Sequence, residues 1–186
     1  ITRNMMMQST PDIEMIVRQD LAAVLALGID LAAISGTGTS GQPTGILNVS
    51  GIGSVIGGTN GAAVTIDQLI ALETSVTANN APEDDLAYLT NAKVIGALKT
   101  LKSTTGQYLW TDSPIGQRSG TPGEINGYTV ARSNQVSSTG TKGTATGVAS
   151  TILFGDWSEL IIGEWGVLEI LPNPYGAGYN LSLIHI

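Results

Sequence analysis

One stretch constrains the chain more than any other: residues 10–35 read as a single long amphipathic helix. Thr10 suits the N-cap, and Pro11 suits the first helical position, where a missing N–H costs nothing. Asp12 and Glu14 fall in the first turn, where the macrodipole favours negative charge. Apolar residues then recur at Ile13, Ile16, Val17, Leu21, Val24, Leu25, Leu31 and Ile34, in steps of three and four. The pattern stops at Ser35-Gly36. About 24 residues at 1.5 Å each give roughly 36 Å, which is long for a chain of 186 residues. Such a helix serves as a spine for the rest of the chain.

The remainder is mixed. Residues 36–63 are a Gly/Ser/Thr-rich crossing. A second amphipathic helix begins at Thr65, with Ile66, Leu69, Ile70, Leu72 and Val76 on one side. Ala81-Pro82-Glu83-Asp84-Asp85 reads as an acidic turn, and Leu86–Leu89 as a short strand. Asn91 caps a third helix through Val94, Ile95, Leu98 and Leu101, expected to stop at Gly106. Residues 107–127 are turn-rich. Strands are expected at Tyr128–Arg132, Thr151–Phe154, Leu160–Ile162 and Val167–Leu171. Gln135–Ser150, rich in Ser, Thr and Gly, reads as an exposed flexible loop. The fold class is therefore α+β, and residues 1–9 read as the end of an extended segment.

Composition narrows the function. Hydrophobic residues make up 42 %, which supports a sizeable core, while only 12 % are charged, against about 25 % in an ordinary domain. With 8 basic and 15 acidic residues the net charge is −7, so the basic footprint of a nucleic-acid binder is missing. The absence of cysteine removes disulfides and thiolate metal chemistry. No apolar run reaches the roughly 18 residues of a membrane span.

Chemistry-bearing patterns each have a plainer explanation. Gly36-Thr37-Gly38-Thr39-Ser40-Gly41 spells G-x-G-x-x-G, but dinucleotide binding needs a strand before it and a helix after it. Here the helix comes first, and the glycines read as loop. No serine sits in a G-x-S-x-G elbow, and Lys93, Lys99, Lys102 and Lys142 read as ordinary solvated positions. Glu83, Asp84 and Asp85 lack the spaced ligands and the sharp-turn glycine of a calcium loop. Asp156, Glu159, Glu164 and Glu169 are spread along strands and turns, with no pair forced together. Asn48-Val49-Ser50 matches a glycosylation sequon by pattern only. Trp110, Trp157 and Trp165 suit core or interface anchors better than a sugar platform. No catalytic, cofactor-binding or metal-binding residue is assigned, and no cofactor is expected.

Four blocks carry a family resemblance. SGTGTSGQPTGILN (Ser35–Asn48), directly after a long helix, resembles the tailed-phage major capsid proteins of the Hong Kong 97 fold. TNAKVIGALKTLKSTTGQYLW (Thr90–Trp110) is similar to that family's helix, turn and strand. INGYTVARSNQV (Ile125–Val136) looks like its strand ending in a Ser-Asn turn. ILFGDWSELIIGEWGVLEIL (Ile152–Leu171) resembles its Gly-Asp turn and the paired strands after it. The blocks stand in the family's order.

The resemblance implies a Hong Kong 97-type capsid fold. Residues 1–48 would hold the end of an extended loop, the spine helix and the glycine-rich loop of a peripheral domain. Residues 49–165 would form a mixed α/β axial domain, and 166–180 would return toward the peripheral domain. The implied function is a non-enzymatic major capsid subunit that assembles into pentamers and hexamers of an icosahedral head enclosing double-stranded DNA. Its partners would be copies of itself, with a scaffold, a portal and a protease, and with no specific nucleic-acid binding and no membrane. It would reside in the virion after assembly in the host cytoplasm. An encapsulin-type shell and, from another class, a carbohydrate-active enzyme are the competing expectations; a tail or baseplate protein would show β repeats.

Both ends are expected to be cuts. The chain opens on Ile1, inside a longer reading frame, and Leu181–Ile186 (LSLIHI) reads as the translation of a transposon-end adapter from library preparation. On that reading His185, the one histidine, is foreign to the protein and the segment takes no part in the fold.

Overall fold

A computed structural model describes residues 10, 13–79, 81–82, 85–108, 123–163, 169–171 and 183–185. In chain order, α1 (Ile13–Ser35) leads through a 3-10 turn (Ile46–Asn48) to α2 (Ile66–Thr77), β1 (Leu86–Thr90) and α3 (Ala92–Lys99). Strands β2 (Gly123–Ile125), β3 (Tyr128–Arg132), β4 (Gly140–Lys142), β5 (Ala145–Ala149) and β6 (Ile152–Asp156) come next. A second 3-10 turn (Trp157–Glu159) and strands β7 (Glu169–Leu171) and β8 (Leu183–His185) complete the order. The class is α+β.

Local chemistry sets the helix starts. Thr65 Oγ accepts from the Gln68 N–H at 3.3 Å while Gln68 Oε1 accepts from the Thr65 N–H at 3.1 Å, a reciprocal capping box opening α2. Asn91 opens α3 by accepting from the Val94 N–H at 3.0 Å, and its amide donates to the Ser137 carbonyl at 3.0 Å. Both ends of this buried side chain are thus satisfied. The expected Pro11 and Asp12 start of α1, the segment 1–9, Glu83, Asp84 and Trp110 lie outside the described residues.

The four-stranded sheet has the order β2-β3-β1-β6. β1 runs parallel to β3 and antiparallel to β6, so Tyr88 is flanked by Val130 and Phe154. Asn126 and Gly127, both with positive φ, turn β2 back onto β3. Leu86, Tyr88 and Thr90 alternate inward along β1. Tyr88 meets Leu69, Val94, Leu98 and Val130 in the core, with Leu72, Tyr128, Ile152 and Phe154 around them. Its ring lies 4.6 Å from that of Phe154, and the Tyr128 and Phe154 rings meet edge-on at 5.1 Å.

Four expectations are corrected. Gln135–Ser150 holds the antiparallel pair β4–β5, because Gly143 supplies the positive φ that turns it and the Thr144 N–H donates to Asn60 Oδ1 at 3.0 Å. Leu160–Ile162 forms no strand; Ile161 is 86 % exposed and finds no ladder partner among the described residues. α3 stops at Lys99, where Thr100 bonds back to Ala97 and Leu98, and Gly106 instead closes a separate turn against Ser103. The fourth concerns the adapter-like end: β7, the described part of the expected strand Val167–Leu171, pairs antiparallel with β8, setting Glu169 opposite His185. The adapter-like residues Leu183–His185 are therefore drawn into a strand pair.

Candidate assembly surfaces

The glycine-rich loop after α1 is a helix stop. The Gly45 N–H donates to the Gly36 carbonyl at 2.8 Å, the Gly38 N–H donates to the Pro43 carbonyl, and Thr37 bridges Thr44. Asn48 turns its amide onto the Ser35 carbonyl at 3.1 Å and the Gly36 carbonyl at 2.8 Å. The last turn of α1 carries no basic residue, so this amide satisfies acceptors that a helix end otherwise leaves to water. The sequon asparagine is thereby committed to packing, and the G-x-G-x-x-G glycines build a tight return, as the residue order implied.

α1 leaves apolar side chains in solvent. Val24, Leu27 and Leu31, at helical spacing, are all exposed, Val24 to 67 %. Exposed apolar surface that is contiguous in this way marks interaction sites on globular proteins.

A groove of about 810 Å³ opens between the crossing, α2, α3 and the β4–β5 hairpin. Ile52, Val55, Ile56 and Val64 come from the crossing, and Val94 and Val148 face them from the body. Among the described lining residues only Lys93 and Lys142 are charged. The Lys93 ammonium donates to the Val148 carbonyl at 2.8 Å and the Ser138 carbonyl at 3.4 Å, fastening the hairpin to α3. Lys93 is thus exposed but engaged, and Lys102 lies over the Tyr108 ring at 4.7 Å. Nothing in the sequence marks these roles, because both depend on where the hairpin and the 103–106 turn fall.

One carboxylate is built into the body. Glu73 accepts from the Tyr88 hydroxyl and from the Asn126 amide at 2.9 Å, joining α2 to β1 and to the β2–β3 turn. Burial, and then the Glu73 contact, push the Tyr88 hydroxyl well above its ordinary value. Asp156 caps the 3-10 turn by accepting from the Ser158 N–H and hydroxyl, and Trp157 donates its indole N–H to the Ala87 carbonyl at 2.8 Å. Glu164, Trp165 and Trp110 lie outside the described residues. Among the described residues, no three His, Asp or Glu cluster to hold a metal, and no helix is long and apolar enough to cross a membrane.

Comparison with known proteins agrees with the four blocks. The model of the phage capsid family matches residues 1–185. A major capsid protein from Halomonas phage phiHAP-1 is 31 % identical over 172 residues, covering 91 % of this chain and 25 % of that protein. The chain therefore spans about a quarter of that relative's length. In fold it is similar to the capsid of a native GTA particle computed with C5 symmetry, at a TM-score of 0.66 and 22 % identity. That match covers 98 % of this chain and 62 % of the other. The capsid of the empty GTA particle matches equally, at 0.66 and 22 %, covering 95 % and 61 %. A long spine helix stopped by a glycine-rich return, a small mixed sheet and a family match across nearly every residue lead to one conclusion: the chain belongs to the phage capsid family.

Proposed function

We propose that this chain is part of a structural major capsid subunit, of Hong Kong 97 type, that assembles with copies of itself into pentamers and hexamers of an icosahedral head around double-stranded DNA. The observation that carries the reading is the family match over residues 1–185. On this reading residues 1–48 belong to a peripheral domain, 49–165 to an axial domain, and 166–180 to the return between them. Scaffold, portal and protease act on the subunit during assembly in the host cytoplasm, and the mature location is the virion. The role requires area and complementarity rather than a catalytic group, since a shell sums many modest contacts.

The exposed stripe of α1 and the open groove support the reading, because both suit surfaces completed by further protein. Sedimentation velocity of the full-length gene product tests it. Species far larger than a monomer are expected, and a well-folded monomer at high concentration overturns the reading. Shells that hold cargo enzyme in place of DNA would assign the same fold to an encapsulin-type compartment.

A further inference from the structure

Asparagine before glycine is prone to ring closure, because no Cβ on the next residue shields its backbone nitrogen. The sequence holds two such pairs, Asn60-Gly61 and Asn126-Gly127, and both are exposed. The structure sets them apart. The Thr144 N–H donates to Asn60 Oδ1 at 3.0 Å, and Gly143 lies so close that a side chain there would strike the same oxygen. Lys93 fastens this hairpin to α3, so the donor is held in place. Among the described residues, nothing bonds the Asn60 side-chain nitrogen. The Gly61 N–H gives up only a 3.2 Å bond to the Gly58 carbonyl when it reacts.

Asn126 is the reverse case. Its side-chain nitrogen donates to Glu73 Oε1 at 2.9 Å, and its φ of 51° belongs to the turn between β2 and β3. Among the described residues, no donor reaches its Oδ1. Ring closure there pulls the amide off Glu73 and leaves a second carboxylate beside it.

We propose that Asn60-Gly61 is a self-modifying site, at which the side-chain amide is lost and an aspartate or isoaspartate takes its place. The Gly61 nitrogen gives its proton to solvent hydroxide and attacks Asn60 Cγ. Negative charge develops on Oδ1, where the Thr144 N–H stabilises it in the manner of an oxyanion-hole donor. The Cγ–Nδ2 bond then breaks, and the nitrogen takes a proton from water and leaves as ammonia. A second water opens the cyclic imide that remains. The sum is one water consumed and one ammonia released, with no change of oxidation state. Each copy gains one negative charge in a stretch, 31–66, that has none. An aspartate at this position still accepts from the Thr144 N–H, and as a charged acceptor it ties the crossing to the hairpin more firmly. The inference does not depend on the shell reading.

The test is peptide mapping by mass spectrometry of the full-length gene product, incubated at mildly alkaline pH both folded and in urea. In the folded protein, position 60 should lose its amide at least about tenfold faster than position 126. In urea the two should react alike, since only the glycine neighbour then matters. Equal rates in the folded protein, a faster loss at Asn126, no loss at either position, or a preference that survives in urea each overturns the inference. Thr144→Pro removes the donor and should slow the reaction at position 60; an unchanged rate in the folded variant overturns the role given to that N–H. The comparison of folded protein with urea uses the unchanged chain, so it decides even where this variant misfolds.

Discussion

Asn48 donates its side-chain amide to the Gly36 carbonyl at 2.8 Å and so fixes where the spine helix ends. The same amide reaches the Ser35 carbonyl. Asn48→Ala should cost about 1–2 kcal/mol, the loss of hydrogen bonds to otherwise unpaired acceptors. Asn48→Asp should cost more, since a carboxylate cannot donate and meets the negative end of the helix dipole. Urea unfolding of the two variants gives the order.

Two glycines near that junction should respond in opposite directions. A Cβ on Gly45 would lie 2.4 Å from the Gly36 nitrogen and 2.6 Å from the Ser35 nitrogen, both backbone. Gly45→Ala should therefore destabilise by about 1–3 kcal/mol. Gly28, inside α1, has nothing within 4 Å of its virtual Cβ. Gly28→Ala should stabilise by up to about 1 kcal/mol through helix propensity alone. Thermal unfolding midpoints moving the same way for both would contradict this.

Tyr88 should make the fold sensitive to alkali. Its hydroxyl is held above the ordinary value of 10.0 by burial and by Glu73. The folded form keeps its proton where the unfolded form loses it, so the stabilisation is whole below about pH 10 and drains away as the pH rises further. The slope contributed should be about 1.4 kcal/mol per pH unit above that point. Tyr88→Phe should lose about 1.5–3 kcal/mol at neutral pH, since the hydroxyl bonds a carboxylate. The same variant should show a shallower alkaline decline. Urea midpoints at about pH 8, 10 and 11 check both, and equal slopes in the two proteins would rule out Tyr88 as the source.

Lys93 ties α3 to the β4–β5 hairpin through two carbonyls. Lys93→Met keeps the aliphatic stem and removes those bonds. Limited proteolysis should then cut within residues 138–149 sooner than in the unchanged protein, with the cleavage pattern elsewhere unaltered. Unchanged cutting would mean that Asn60, which accepts from the Thr144 N–H, holds the hairpin alone.

The parts of the fold legible in the sequence obey local rules. α1 showed through its three- and four-residue apolar steps, and α3 through the Asn91 cap, which the structure satisfies with the Val94 N–H. β1, β3 and β6 were readable because Leu86, Tyr88, Val130 and Phe154 supply apolar and aromatic side chains to the sheet and its core. The hairpin Gly140–Ala149 was not, since its Ser, Thr and Gly composition matches a loop and its pairing depends on the Gly143 turn and on distant Asn60. Leu160–Ile162 misled in the opposite sense: three apolar residues in a row carry strand propensity, but a strand also needs an edge to join. The Glu73–Tyr88–Asn126 cluster joins residues from three parts of the fold, so no spacing in the chain announces it. The family itself was readable because its motifs, such as Gly36–Asn48, sit where backbone geometry restricts the choice of residue.

Negative-stain electron microscopy of the full-length gene product, expressed with and without its neighbouring head genes, tests the central claim most directly. Closed shells, or rings of five and six subunits, are the expected result. A folded monomer that forms neither under either condition would contradict it.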